Sequence, residues 1–195
     1  MDIQTLSALA LFAFAATFSP GPNNIMLLTS GANVGFLRTI PHMAGIMVGF
    51  FVMVMVVGTG IVVVLEQYPI LNQALQFVCL SYLFYLAYKI ATAPVELDTN
   101  IDYQPMSFFA AAWFQWVNPK AWSISLSAVG AYNASGSWST LVLIGGVFAL
   151  VTIPSVSIWT ATGKQLGKIL GQANRIRWFN LSMAALLVIS VLMTL

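Results

Sequence analysis

The chain alternates between long apolar runs and short polar breaks, six runs in all. They fall at roughly 5–30, 40–65, 70–90, 107–131, 139–162 and 177–195. About 20 mostly apolar residues suffice for a helix to cross the hydrocarbon layer, so each run predicts one membrane-spanning helix. The runs are long and lack the alternation of strands, and lipid tolerates no unpaired backbone. The breaks carry polar and turn residues: Ser30 to Asn33, Glu66 to Pro69, Pro94 to Pro105, Asn133 to Gly136, and Gly163-Lys164. In the last break, Leu166, Ile169, Leu170 and Ala173 share one helical face and Lys164 and Lys168 another. The pattern fits a short helix lying on the inner leaflet, or a plain basic connector.

Composition sharpens this picture. Only 6% of the 195 residues are charged, against about 25% in an ordinary soluble domain. A soluble enzyme, a disordered chain and a nucleic-acid binder are excluded, and a net charge of +2 gives no pull on a polyanion. The expected partner is membrane lipid. The start Met1-Asp2-Ile3-Gln4 has no basic segment of the kind that opens a cleavable signal, so the first run should remain in the protein. Arg38, Lys89, Lys164, Lys168, Arg175 and Arg177 lie in or beside the first, third and fifth loops between the runs, and the seventh cation, Lys120, lies inside the fourth run. By the positive-inside rule those loops face the cytoplasm and both termini face out, into the periplasm of an inner (plasma) membrane.

The longest polar stretch divides the chain. Residues 1–94 form a first half, 95–106 a cytoplasmic linker and 107–195 a second half of one transmembrane domain. Three crossings per half force opposite orientations, so the predicted fold is all-α: six transmembrane helices as two three-helix inverted repeats. The first helix of each half carries an interruption. Helix 1 holds Ser19-Pro20-Gly21-Pro22-Asn23-Asn24, and helix 4 holds Asn118-Pro119-Lys120. Proline removes a backbone donor and pushes its predecessor out of helical geometry. Broken helices at matching places in two halves are the best sequence pointer to a transporter's binding site.

The restarts should offer free amides near Asn23, Asn24 and Ile25, and near Lys120 and Ala121, to a carboxylate. Unwound carbonyls and the Asn23, Asn24 and Asn118 side chains suit an ammonium group. The competing reading is a pair of packing kinks. Lys120 sits eleven or twelve residues into its run, about 17 Å deep at 1.5 Å per residue. A charge there is costly unless paired or hydrated. Lys120 can bind a substrate carboxylate, give up its proton during a cycle, or be pinned by carbonyls freed at the breaks. Ser123 follows on the same stretch, and either lines a polar path or bonds to a carbonyl one turn back. His42, the lone histidine, is expected to be hydrogen-bonded, with proton coupling as the alternative role. No acidic residue lies in any run; all five are Asp2, Glu66, Glu96, Asp98 and Asp102. No metal or cofactor is expected. Gly45 and Gly49 predict close helix packing.

These motifs resemble the LysE/RhtB family of bacterial amino-acid exporters. Ser19 to Asn24, Gly35-Phe36-Leu37-Arg38 leading into Gly45 to Gly49, and Asn118-Pro119-Lys120 carry the likeness, which runs over nearly the whole chain. The general similarity is greatest to members that export cysteine and O-acetylserine. The resemblance implies a proton-driven exporter of amino acids or small derivatives, with Pro20, Gly21, Pro22, Asn23, Asn24, Asn118, Pro119 and Lys120 at the substrate. The residues themselves add Ser123 to the candidate binding set and Lys120 and His42 as proton-coupling candidates, and a second copy of the chain is a candidate partner. The alternatives are a carrier of another solute or ion, a membrane-embedded enzyme, and an assembly subunit. One histidine, no buried acid and no nucleophile–base pair count against the enzyme.

Overall fold

Asp2 starts the first helix. Its carboxylate accepts a hydrogen bond from the Thr5 amide at 2.8 Å, which also holds that carboxyl below the usual carboxylate range. The computed structural model describes residues 1–61, 67–93, 103–133, 136–170 and 173–192. In chain order, α1 is Ile3–Phe18 and α2 is Pro22–Val56, followed by a π-helical turn at Val57–Ile61. Then come α3 (Pro69–Ala91), α4 (Phe108–Phe114), a 3-10 turn at Gln115–Val117, α5 (Pro119–Tyr132), α6 (Trp138–Leu170) and α7 (Ala173–Leu192). Among the described residues every element is helical and there is no strand. The acidic stretch of the linker, Glu96 to Asp102, lies outside the described residues.

Among the described residues, three helices are long and apolar enough to cross a membrane: Pro22–Ile61, Gln73–Ala91 and Trp138–Leu170. Two apolar helices, Ile3–Phe18 and Phe108–Val117, are shorter. Both end at the predicted proline motifs. The interruption between α1 and α2 runs through Ser19, which is extended, to Gly21. The interruption before α5 centres on Asn118, also extended.

Two predicted breaks lie elsewhere. The helix runs unbroken through Ser30 to Asn33 and bends instead at Gly35, where φ is 81° and ψ is −179°. Polar residues break a membrane helix only if they lack partners, and these have them. Asn33 Nδ2 donates to the Thr29 carbonyl at 2.7 Å, and the Ser30 and Thr39 hydroxyls share a 2.8 Å hydrogen bond. Gly35 occupies a region of backbone space open essentially to glycine alone. The break at Gly163-Lys164, and the separate short helix after it, are also absent, because α6 continues to Leu170. Its glycines serve close approach. A Cβ on Gly163 would land on the Leu28 carbonyl, one on Gly167 on the Ala32 carbonyl, and one on Gly31 on the Thr160 carbonyl. The first part of α2 and the far end of α6 thus touch backbone to backbone, the close contact that small residues permit in membranes. Gly45 and Gly49 do the same against Phe108 and Ala112 of α4.

Two buried clusters flank the middle of the molecule. One joins Ile25, Leu28, Leu83, Leu86, Phe114 and Leu187, from α2, α3, α4 and α7. The other joins Leu9, Ala13, Val54, Ala128, Ile144 and Phe148, from α1, α2, α5 and α6. Large apolar side chains such as Leu11, Phe77, Leu150 and Trp178 are exposed on the outside, as a lipid-facing surface requires.

Candidate functional site

The break after α1 frees carbonyls that must find donors out of water, where a lone one costs several kcal/mol. Each has one. Asn24 Nδ2 donates to the Thr17 carbonyl at 2.7 Å and to the Ser19 carbonyl at 2.9 Å. Ser155, reaching from α6, donates to the Thr17 carbonyl at 2.8 Å. The Lys120 ammonium completes the set. Its Nζ donates to the Ser19 carbonyl at 2.9 Å, the Ser19 hydroxyl at 2.7 Å and the Pro20 carbonyl at 3.1 Å. Three N–H groups thereby meet three acceptors. Lys120 is the residue just inside the second break, so its side chain ties one interruption to the other. Gly21 makes the reach feasible. A Cβ there would stand 2.8 Å from Lys120 Cδ and 2.9 Å from Nζ.

A second tie runs parallel to the first. Asn23 Nδ2 donates to Gln115 Oε1 at 2.9 Å, and Gln115 Nε2 donates back to Asn23 Oδ1 at 3.3 Å and to the Ala111 carbonyl at 2.9 Å. Gln115 is fully buried and went unrecognised in the sequence. Its one signal there is an amide inside an apolar, aromatic run.

The two restarts differ. At Asn118 the side chain accepts from the Lys120 amide at 3.1 Å, and the Asn118 carbonyl accepts from the Ala121 and Trp122 amides at 3.0 and 3.2 Å. The amides expected to be free near Lys120 and Ala121 are therefore occupied by the asparagine cap. At Pro22 the preceding Gly21 supplies no side-chain cap. The Ile25 amide is taken by the Gly21 carbonyl at 2.9 Å, which leaves the amides of Asn23 and Asn24 as the opening of that helix.

These groups border a cavity of about 50 Å³ between α1, α2, α5 and α6, enough for a few waters. Its polar wall is Thr17, Gly21, Asn23, Asn24, Gln115, Asn118, Lys120, Thr152 and Ser155; Ile46, Phe50, Ile124 and Phe148 supply apolar wall. Lys120 is the one charged group among the described residues of this lining, which include no carboxylate. Pro20, Pro22 and Pro119 do not line the cavity; they shape its edges, the latter two as first residues of their helices. Ser123 also lies outside. Its hydroxyl is exposed and donates to the Pro119 carbonyl at 3.1 Å, the backbone-bonded alternative of the two expected for it.

His42 is elsewhere, one turn from Ile46 on α2. It is buried, and neither ring nitrogen has a hydrogen-bond partner among the described residues, contrary to the expectation of an ordinary bonded histidine. It borders a second cavity of about 650 Å³ with Tyr82, Tyr85, Lys89, Tyr103 and Ser107. Burial raises the Tyr103 phenol above its ordinary range, so it stays a neutral donor. No group of three or more potential metal ligands occurs among the described residues.

The chain is 29% identical over 191 residues, 96% of both chains, to the cysteine/O-acetylserine efflux protein of Escherichia coli (strain K12). The same identity and coverage hold for the protein of that name from Shigella sonnei (strain Ss046). No solved structure matches the chain. The family model described as LysE type translocator matches residues 14–194, and the chain belongs to that translocator family.

Proposed function

We propose that this protein exports small neutral amino acids or their derivatives, of the cysteine and O-acetylserine kind, from the cytoplasm across the inner membrane. The observation that carries this reading is the Lys120 ammonium held on the backbone of the opposite break, at the wall of the central cavity. That contact is an exchangeable pair. A substrate carboxylate replaces the Ser19 and Pro20 carbonyls on Lys120, and the substrate ammonium takes the carbonyls released. A zwitterion satisfies both sides of the opened contact. A simple anion would leave the carbonyls bare, and a simple amine would leave Lys120 bare, each at the price of an unpaired buried group. The uncapped amides of Asn23 and Asn24 add a second grip on the carboxylate.

In this reading the elements make six crossings. α1 with the first part of α2 is one, and α4 with α5 is the fourth, each passing through its break. The two halves form inverted repeats that rock about the broken helices to expose the cavity to one side and then the other. Export is coupled to the proton gradient, with Lys120 and His42 as the groups that exchange the proton, since the described lining of the central cavity holds no carboxylate. Both termini face outward, and two copies associate through their lipid-facing surfaces.

The direct test is counterflow in liposomes containing purified protein. Labelled O-acetylserine should exchange against unlabelled O-acetylserine or cysteine, and an imposed pH gradient should drive net movement. Absence of exchange for every amino acid tried would refute the reading.

A further inference from the structure

The second cavity sits one helical turn from the first. On α2, Ile46 lines the central cavity and His42 lines the second; on the other part of α2, Asn23 lines the central cavity and Met26 the second. Four and three residues along a helix rise about 6 and 4.5 Å. A thin wall therefore separates the two spaces, and the buried His42 ring belongs to it. An imidazole always carries at least one N–H donor, and burying its polar atoms without partners is unfavourable. Both of its nitrogens are buried and lack partners among the described residues, so the closed partition holds an unsatisfied donor that a polar solute passing through it would satisfy.

The rest of the lining says which guest. Lys89 supplies an ammonium, over the Tyr85 ring at 5.6 Å from its centroid. Tyr82, Tyr103 and Ser107 supply hydroxyls, and Met26 and Leu86 supply apolar wall. No carboxylate lies among the described lining residues. Donors with one cation and an apolar side suit a carboxylate-bearing small molecule with a modest side chain. Lys89 lies in the last turn of α3, at the end that the lysine and arginine distribution assigns to the cytoplasm.

We infer that this second cavity is an entry site, in which an amino-acid solute is held by Lys89 and the tyrosine hydroxyls before it passes His42 into the central cavity. The inference rests on the export reading above and adds a second, inner-facing binding site to it. His42 is then the polar step in the partition: it hydrogen-bonds the carboxylate on its way through, a bond no described side chain supplies.

The test uses the full-length protein, uniformly oriented in liposomes of neutral phosphatidylcholine, with labelled O-acetylserine as probe. The half-saturating concentration is measured from each face for wild type, Lys89→Gln and His42→Asn. The expected result is a rise at the inner face about tenfold larger than any change at the outer face, the scale of one lost charge-assisted hydrogen bond. Lys89 is exposed, so Lys89→Gln carries the test if His42→Asn fails to insert. Equal changes at both faces, or none, would overturn the entry site and leave the export reading standing. A Lys89→Gln effect seen only after anionic lipid is added would also overturn it, marking the cavity as a lipid headgroup site. A wild-type protein that moves no amino acid would overturn the export reading, and this one with it.

Discussion

A lysine held out of water needs acceptors for all three of its N–H groups, and Lys120 finds them on Ser19 and Pro20 of the other break. Lys120→Met should leave the protein inserted and lower efflux about a hundredfold, the scale of the roughly 3 kcal/mol lost with one member of a buried charged contact. Efflux in oriented vesicles, beside a measure of membrane insertion, checks this; undiminished transport would show that the charge takes no part. Lys120→Arg should also fail, because a planar guanidinium cannot converge on three acceptors clustered around one point. Gly21→Ala tests the same contact from the other side, since the new methyl would stand where the lysine stem passes. The stem is flexible, so thermal stability should hold while transport falls; unchanged transport would mean that the lysine geometry is immaterial. Lys120, Asn118 and Asn23 were legible in the sequence because polar residues beside prolines in an apolar run are conspicuous. Gln115 was not, because its partner Asn23 is 92 residues away and a lone amide among aromatics announces no role.

Helices record a different balance. The Ser19 to Asn24 and Asn118 to Lys120 motifs were readable as breaks because proline's missing donor and clash are joined there by a glycine or an asparagine cap; a lone proline does not suffice, since Pro41 and Pro154 lie inside α2 and α6. Polar and glycine clusters were not, because their effect depends on neighbours in space. Ser30 and Asn33 stay helical because side-chain partners satisfy them, and Gly163 stays helical because the Leu28 backbone fills the space a side chain would need. Gly35 instead takes the bend. Nothing lies within 4 Å of a Cβ placed on it, so Gly35→Ala meets no clash and reports backbone conformation alone. It should destabilise the protein by about 1–3 kcal/mol, read as a lowered unfolding temperature in detergent; equal stability would mean that the bend relaxes freely. Gly163→Leu should be more damaging, since its side chain would have to separate α2 from α6 along their backbone contact. A wild-type unfolding temperature there would contradict the tight seam. Asn118→Ala should cost about 1 kcal/mol through loss of the α5 cap.

At the scale of the whole molecule, the hydrophobic runs disclosed an all-helical membrane protein, and the family assignment agrees. Three helices meet the length and apolarity of a crossing outright. The breaks divide others into shorter pieces, and in the proposed six-crossing arrangement an interrupted crossing is long enough only when both of its pieces are counted. The proposed orientation predicts that a single cysteine introduced near Thr5, in a Cys79→Ser background, reacts with an impermeant maleimide added outside intact cells, and that one at Gln165 does not. The reverse pattern would invert the topology. The central claim is that the two breaks and Lys120 form a receptor for a molecule bearing both charges. Its most direct test is competition in liposome counterflow between O-acetylserine and two derivatives, one with the amine acylated and one with the carboxylate removed. The account predicts that amino acids with both groups intact compete and that neither derivative does. Competition by the acylated or the decarboxylated compound as strong as that of the parent would contradict it.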